Sequence, residues 1–246
     1  MYKWPQGKFR QIIYGFLIGI FLVMGGVGIH PAQAQISQAT VTEILDGNEV
    51  FIQGRQARVN NVAGAGQQVS TRVSRAGLRF NNGAAGRLRS NTSLIVGQCI
   101  QVQQGGVVAS GPANACIGSV RVATRGTTFV AELGTNNSYD LKVLEGSIAV
   151  TPPSQSNQNN PTTIEESPKP PDLIIRQGEK ISIAENGQVS PLARITTDEI
   201  LMILNNYFFG FTQQLPGSSN LQTALEELFP GVPLPNLRPA PVRGLF

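Results

Sequence analysis

From Gln35 to Val150 the chain runs in short apolar or alternating stretches broken by Gly, Asn and Asp. Thr40 to Leu45 is one such stretch. It is followed by the break Asp46-Gly47-Asn48 and then Glu49 to Ile52. Ser119 to Ala123, Thr127 to Leu133, Tyr139 to Leu144 and Ser147 to Val150 repeat the pattern further on. No segment here keeps a helical period for ten residues, so the region reads as many short strands. The expected class is mainly β, and the pattern alone leaves sandwich, barrel and short solenoid open.

The pattern changes at residue 151. Residues 151–172 are rich in Pro, Asn and Ser and read as a solvated linker or loop insertion. Residues 173–192 return to strand character in Leu173 to Ile175 and Lys180 to Ala184, with a turn signal at Asn186-Gly187, and should close the β domain that occupies 35–150. Residues 193–230 are helical in pattern. Thr196-Thr197-Asp198-Glu199 matches a capping box ahead of an apolar stripe from Ile200 to Phe208, and Ser219 to Gln222 offers a second box before Leu225, Leu228 and Phe229. A helical hairpin broken around Pro216-Gly217 is expected, and the Pro-rich residues 231–246 read as an extended tail.

The beginning of the chain reads as an address. Lys3, Lys8 and Arg10 precede an uncharged run from Ile12 to Ile29, and Ala32-Gln33-Ala34 is a small-x-small cleavage site, so residues 1–34 are expected to be a signal peptide cut after Ala34. An uncleaved membrane anchor is the alternative, since the run is near the lower length limit for a spanning helix. In either case the remainder is exported, to a periplasm or cell surface, and the membrane is met only through this segment.

Cleavage changes the chemistry available. It removes the single histidine, His30, and three of nineteen basic residues, leaving sixteen Lys and Arg against fifteen Asp and Glu, a net charge of +1. Without histidine there is no Ser-His-Asp or Cys-His triad and no usual zinc ligand set. The adjacent acids Glu165-Glu166, Asp198-Glu199 and Glu226-Glu227 read as solvated or capping groups. No phosphate-binding glycine motif is present. The expectation is a protein that is not an enzyme and takes no metal and no cofactor. Cys99 and Cys116 in an oxidising compartment read as one disulfide, placed at or near the ends of a strand pair that spans the Gly105-Gly106 and Gly111-Pro112 turns.

Charge is unevenly distributed. No acid occurs between Glu49 and Glu132, while arginine stands at 55, 58, 72, 75, 79, 87, 89, 121 and 125; beyond residue 131 the chain has seven bases against twelve acids. In a strand, Arg75 and Arg79 lie on the face opposite Ala76, Leu78 and Phe80, and Arg87 and Arg89 lie opposite Leu88. A five-residue loop, Asn81 to Ala85, would pair Leu78 with Leu88 and set Arg79 beside Arg87, a like-charge pair that needs a compensating anion or acid. Arg75, Arg79, Arg87 and Arg89 are therefore expected to be exposed together. They form a candidate surface for an acidic protein or envelope polymer; the alternative is a solvated face or one paired with the acidic C-terminal half. Nucleic acid is not expected, because the chain is exported and stacking aromatics are not interleaved with the arginines.

The β segment as a whole resembles the FecR-type domain. The matching pieces are Gly66-Gln67-Gln68-Val69-Ser70-Thr71, then Ala76-Gly77-Leu78-Arg79-Phe80 with Asn82-Gly83 and Gly86-Arg87-Leu88, then Val122 to Val130 with Gly126, Thr127 and Phe129, then Val143 to Val150 with Glu145 and Gly146, and finally Gln177-Gly178-Glu179. The resemblance spans about residues 66 to 183. These residues are turn and strand grammar: Gly126 and Gly146 suit turns, Phe129 packs, and Glu145 suits a turn hydrogen bond. The resemblance implies a role in relaying an envelope signal, since FecR proteins sit in the inner membrane, bind the signalling domain of an outer-membrane transporter and control a sigma factor. With only about ten residues ahead of the apolar run, the cytoplasmic sigma-regulating domain of that family is not expected here. An exported binding or signal-sensing module is the expectation, and a structural envelope component for assembly or adhesion is its alternative.

Overall fold

The computed structural model describes residues 35–117, 120–124, 126–134, 137–151 and 173–237. The targeting segment with its cleavage site, almost all of the Pro-rich insertion, Arg125 and the end of the tail lie outside the described residues.

The frequent turn residues do cut the chain into short strands. β1 (Gln38–Leu45), β2 (Val50–Ile52), β3 (Arg55–Gln56), β4 (Val62–Gly64), β5 (Gln68–Thr71), β6 (Arg75–Phe80), β7 (Ala85–Leu88), β8 (Ser93–Ile95) and β9 (Ile100–Gln104) make the first half. β10 (Gly106–Gly111), β11 (Ala115–Ile117), β12 (Val120–Thr124), β13 (Thr127–Leu133), β14 (Tyr139–Glu145), β15 (Ser147–Thr151), β16 (Leu173–Arg176), β17 (Glu179–Ile183) and β18 (Ala193–Arg194) complete it. Single strands and hairpins fall alternately into two nine-stranded sheets. The first runs β18-β17-β14-β13-β10-β7-β6-β1-β4 and the second β16-β15-β12-β11-β9-β8-β5-β2-β3. The protein is thus mainly β, a sandwich whose strand order advances along each sheet much as a solenoid would.

Alternation within the strands explains the layering. Val41, Leu78, Leu88, Val107, Phe129 and Val143 of the first sheet share one buried cluster with Val50, Val69, Leu94, Val102, Val122 and Ile148 of the second. Each such side chain contributes about 1.5–3 kcal/mol on burial. The intervening residues point outward, and here the two sheets diverge. On the first sheet Ala85, Val108, Val130 and Leu144 face outward and form a second buried cluster with two helices, α1 (Thr197–Tyr207) and α2 (Ser218–Leu228). The molecule therefore has three layers: helices, first sheet, second sheet. Among the described residues no helix is long and apolar enough to cross a membrane.

The helix starts follow different rules. α1 has the expected capping box: the Glu199 amide donates to Thr196 Oγ1 at 3.3 Å and the Thr196 amide to Glu199 Oε2 at 2.8 Å. The box expected at Ser219 is not used. α2 begins two residues earlier, with Gly217 at its N-cap in the left-handed region, φ 71°. Gln222 turns instead to the following segment, its Oε1 accepting the Leu237 amide at 2.9 Å.

Two register expectations are corrected. β6 and β7 are joined by four residues, with Leu78 opposite Gly86 and Ala76 opposite Leu88. The Phe80 amide donates to the Ala84 carbonyl at 2.9 Å, and Gly83 at φ 87° closes the turn, so the unpaired loop is Asn81 to Gly83, two residues shorter than expected. Arg79 thus faces Ala85 and Arg87 faces Gly77, and the like-charge pair does not form. Cys99 and Cys116 are bonded, with Cα atoms 5.6 Å apart. They do not close the ends of a strand pair, however. Cys116 lies in β11, parallel to β9 with Cys116 opposite Gln101, and the intervening β10 crosses to the other sheet. The disulfide clips this crossover.

Candidate binding site

The sequence placed Arg75, Arg79, Arg87 and Arg89 on one strand face, and they do lie on the outer face of the first sheet, where α1 and the α1–α2 connection cover all but Arg79. The expectation that they are exposed together is corrected for three of the four. Arg87 is 5% exposed, Arg75 and Arg89 are half-buried, and Arg79 alone is exposed.

What buries them is the C-terminal end of α1. Its last turn carries no basic residue, so its free carbonyls need donors from elsewhere. Arg87 Nη1 donates to the Tyr207 carbonyl at 3.1 Å and Nη2 to the Gln213 carbonyl at 2.5 Å. Its guanidinium stands 4.7 Å from the centre of the Phe211 ring and 5.3 Å from that of Phe208. Burial pushes the Arg87 guanidinium down to about 10, so it stays charged at neutral pH. Arg75 Nη1 donates to the carbonyls of Asn205 at 2.9 Å and Phe209 at 2.8 Å, while its Nε reaches Asp46 at 2.5 Å. That hydrogen bond holds the Asp46 carboxyl below its ordinary value.

Further contacts, which sequence reasoning did not find, complete the latch. Glu43, beside a bulge in β1, accepts the Thr212 amide at 2.8 Å and the Gln213 amide at 3.2 Å. Glu132 accepts from Lys142 Nζ at 2.7 Å and from Tyr207 Oη at 2.8 Å, with Arg89 Nε 3.7 Å away. Burial, reinforced by Glu132, lifts the Tyr207 phenol well above its ordinary value. At the other end of α1, Lys180 Nζ donates to both Glu199 oxygens at 2.7 and 2.8 Å. Burial acts upward on the Glu199 carboxyl but is outweighed by the bonds from Lys180 and Thr196, and the net direction is down. A usable signal was present: a helix whose last turn lacks bases, opposite a strand face with four arginines.

The remaining motif residues hold turns. Gly126 and Gly146 have φ 67° and 81°. Thr127 Oγ1 donates to the Ser147 carbonyl at 2.8 Å. Phe129 is in the core. Burial raises the Glu145 carboxyl against an opposing bond from Thr128. Glu179 accepts the Arg176 amide at 2.8 Å. Gly178 packs against α2, where an added Cβ would stand 2.9 Å from Leu228 Cδ2.

Among the described residues the outer face of the second sheet has no such cover. Its nine strands contain no Asp or Glu, whereas those of the first carry Glu43, Glu132, Asp140, Glu145 and Glu179. Strand pairing sets Gln68, Ile95, Gln101, Cys116, Arg121 and Thr151 in one row across six strands, all half-buried or exposed. A second row holds Gln56, Phe51, Ser70, Ser93 and Gln104. Arg72 lies 5.1 Å over the Phe51 ring. At the β2–β3 edge an open cleft of about 630 Å³ is lined by Gln53, Arg55, Gln56, Asn61 and Gln67 among others. Its amides are partly engaged: Gln56 Nε2 donates to Asn48, and Asn61 and Gln67 accept the amides of Arg58 and Gly64.

No protein-family model matches the sequence, and no curated protein matches it. Two crystal structures of a candidate anti-sigma factor from Parabacteroides distasonis are similar in part. One gives a TM-score of 0.42 at 13% identity over 66% of this chain and 74% of that one. The other gives 0.41 at 13% identity over 65% and 73%. At this level the likeness assigns the chain neither a family nor a function.

Proposed function

We propose that this chain is an exported, non-enzymatic binding module of the cell envelope that recognises a protein or envelope polymer, in the manner of a signal sensor. The observation that carries the reading is the asymmetry of the sandwich. One outer face is sealed by helices and latched by arginines, while the other, among the described residues, is a broad open face of amide, hydroxyl and arginine side chains. A sealed face holds the module rigid, and an open face nine strands wide is the surface left for a partner. The disulfide and the FecR-type turn residues support an exported domain of this kind.

The test is to place a photo-crosslinking residue in cells at Gln101, on the open face, and in a second strain at Met202, which is 57% exposed on α1. A discrete, saturable adduct from position 101 and none from 202 is the expected result. No adduct from either position, with the whole chain sedimenting with insoluble envelope material, would instead indicate a structural component of the envelope. Turnover in a broad hydrolase screen of the purified protein would overturn the non-enzymatic part.

A further inference from the structure

Resting on that reading, we infer that the open face of the second sheet binds an extended, carboxylate-bearing polysaccharide laid across the strands. Charge is the first argument. Every strand of this sheet lacks a carboxylate, and Arg121, next to one end of the longest row, has no hydrogen-bond or ion-pair partner among the described residues. Arg72 and Arg176 are also exposed; Arg176 lies opposite Ser147 on the same face. Guanidiniums without a carboxylate beside them raise the local positive potential in a chain that is nearly neutral after cleavage, and a guanidinium binds a carboxylate in a two-pronged fork.

Spacing is the second argument. The row Gln68, Ile95, Gln101, Cys116, Arg121, Thr151 places one side chain on each of six adjacent strands. At ~4.8 Å per strand it is about 24 Å long and straight apart from the sheet's twist. That step is close to the advance per sugar of an extended polysaccharide, so successive sugars meet successive strands. An extended peptide instead advances about 3.3 Å per residue and falls out of step with the row.

Chemistry is the third. Gln68 and Gln103 touch at 3.1 Å, and with Gln101, Ser70 and Gln104 they present amide and hydroxyl groups that donate and accept, as a hydroxyl-rich ligand requires. Phe51, with Arg72 stacked on it, offers a ring face at one end. Few large apolar side chains stand out on this face, Ile174 being the most open at 40%, so it lacks the apolar centre of a stable protein interface.

The experiment uses the exported chain purified with its disulfide intact, and titrates it with alginate, with dextran of matched size and with poly-glutamate. Alginate should bind saturably and more weakly as salt rises, dextran should bind at least roughly tenfold more weakly, and poly-glutamate should not match alginate, since it has the charge without the sugar spacing. Arg121→Gln should weaken alginate binding by roughly tenfold, the loss of one charge-assisted contact of about 1.4 kcal/mol. Gln101→Ala should weaken it as well, and Arg79→Gln on the opposite sheet should leave it unchanged; melting temperatures of all three variants should match the parent. Failure of alginate to bind, equal binding of poly-glutamate, or indifference to Arg121→Gln would each overturn the inference. If alginate fails while position 101 still yields its adduct in cells, only the polysaccharide is wrong. If both fail, the binding-module reading falls with it.

Discussion

The two outer faces of the sandwich begin from the same grammar and end with different jobs. Each is built from residues that alternate with core positions, and each carries arginines. On the first sheet, Arg75 and Arg87 sit within reach of helix-end carbonyls, and burial turns them into fasteners. On the second sheet, Arg121 and Arg176 sit among glutamines, serines and alanines with nothing packed above them in the described structure. The same side chain is structural where a helix end needs donors and a candidate contact where none is present. Sign of charge alone does not separate these roles; the neighbouring layer does.

The comparison can be broken most directly at Arg87. Arg87→Ala removes one buried and one half-buried hydrogen bond to carbonyls and two ring contacts, and should cost roughly 3–5 kcal/mol, lowering the melting temperature by roughly 6–20 °C at about 2–4 °C per kcal/mol. Arg121→Gln on the other face should stay within about 0.5 kcal/mol. Equal thermal stability of these two variants would erase the distinction between the faces.

Next in size is the disulfide. It closes a separation of 17 residues around the β9–β10–β11 crossover, and its reduction should cost about 3 kcal/mol in the chain-entropy model. Thermal unfolding with and without reductant measures it, and two alkylatable thiols in the native protein would contradict the bond.

The latch itself can be probed at Gly106. An added Cβ there would stand 2.6 Å from Glu132 Cγ and meet the Tyr207 hydroxyl. Gly106→Ala should cost about 2 kcal/mol through overpacking, and pairing it with Tyr207→Phe, which removes the clashing oxygen, should recover part of that loss.

The smallest expected effect sharpens the other end of α1. Glu199 has a folded-state acidity shifted below the ordinary 4.5, so its contribution is present above that value and is lost as pH falls through the lower folded value. Lys180→Met should therefore destabilise the protein at pH 7 and converge with the parent in acid. Glu145 shifts the other way. It should weaken the fold as pH rises through its window in parent and variant alike, so it cancels in the difference. A gap between the two proteins that does not close on acidification would remove Lys180 from the account.

Much of this molecule is visible in the order of its residues. Period-two alternation set which side chains share a face, so Arg75, Arg79, Arg87 and Arg89 could be placed together from Ala76, Leu78, Phe80 and Leu88. The Thr196 box and the turn at Gly187 were local and therefore readable. The count of loop residues after Phe80 was not. A loop of three or of five residues keeps the same side chains on the same face, so alternation cannot choose between them, and turn hydrogen bonds made the choice. The tertiary structure alone decided whether the arginine face meets water or a helix, because that cover comes from chain 130 positions away. No local pattern encodes a contact of that separation. It forms because α1 has an apolar stripe to bury and unpaired carbonyls at its end, and one outer face of the sandwich offered both a matching apolar patch and the donors.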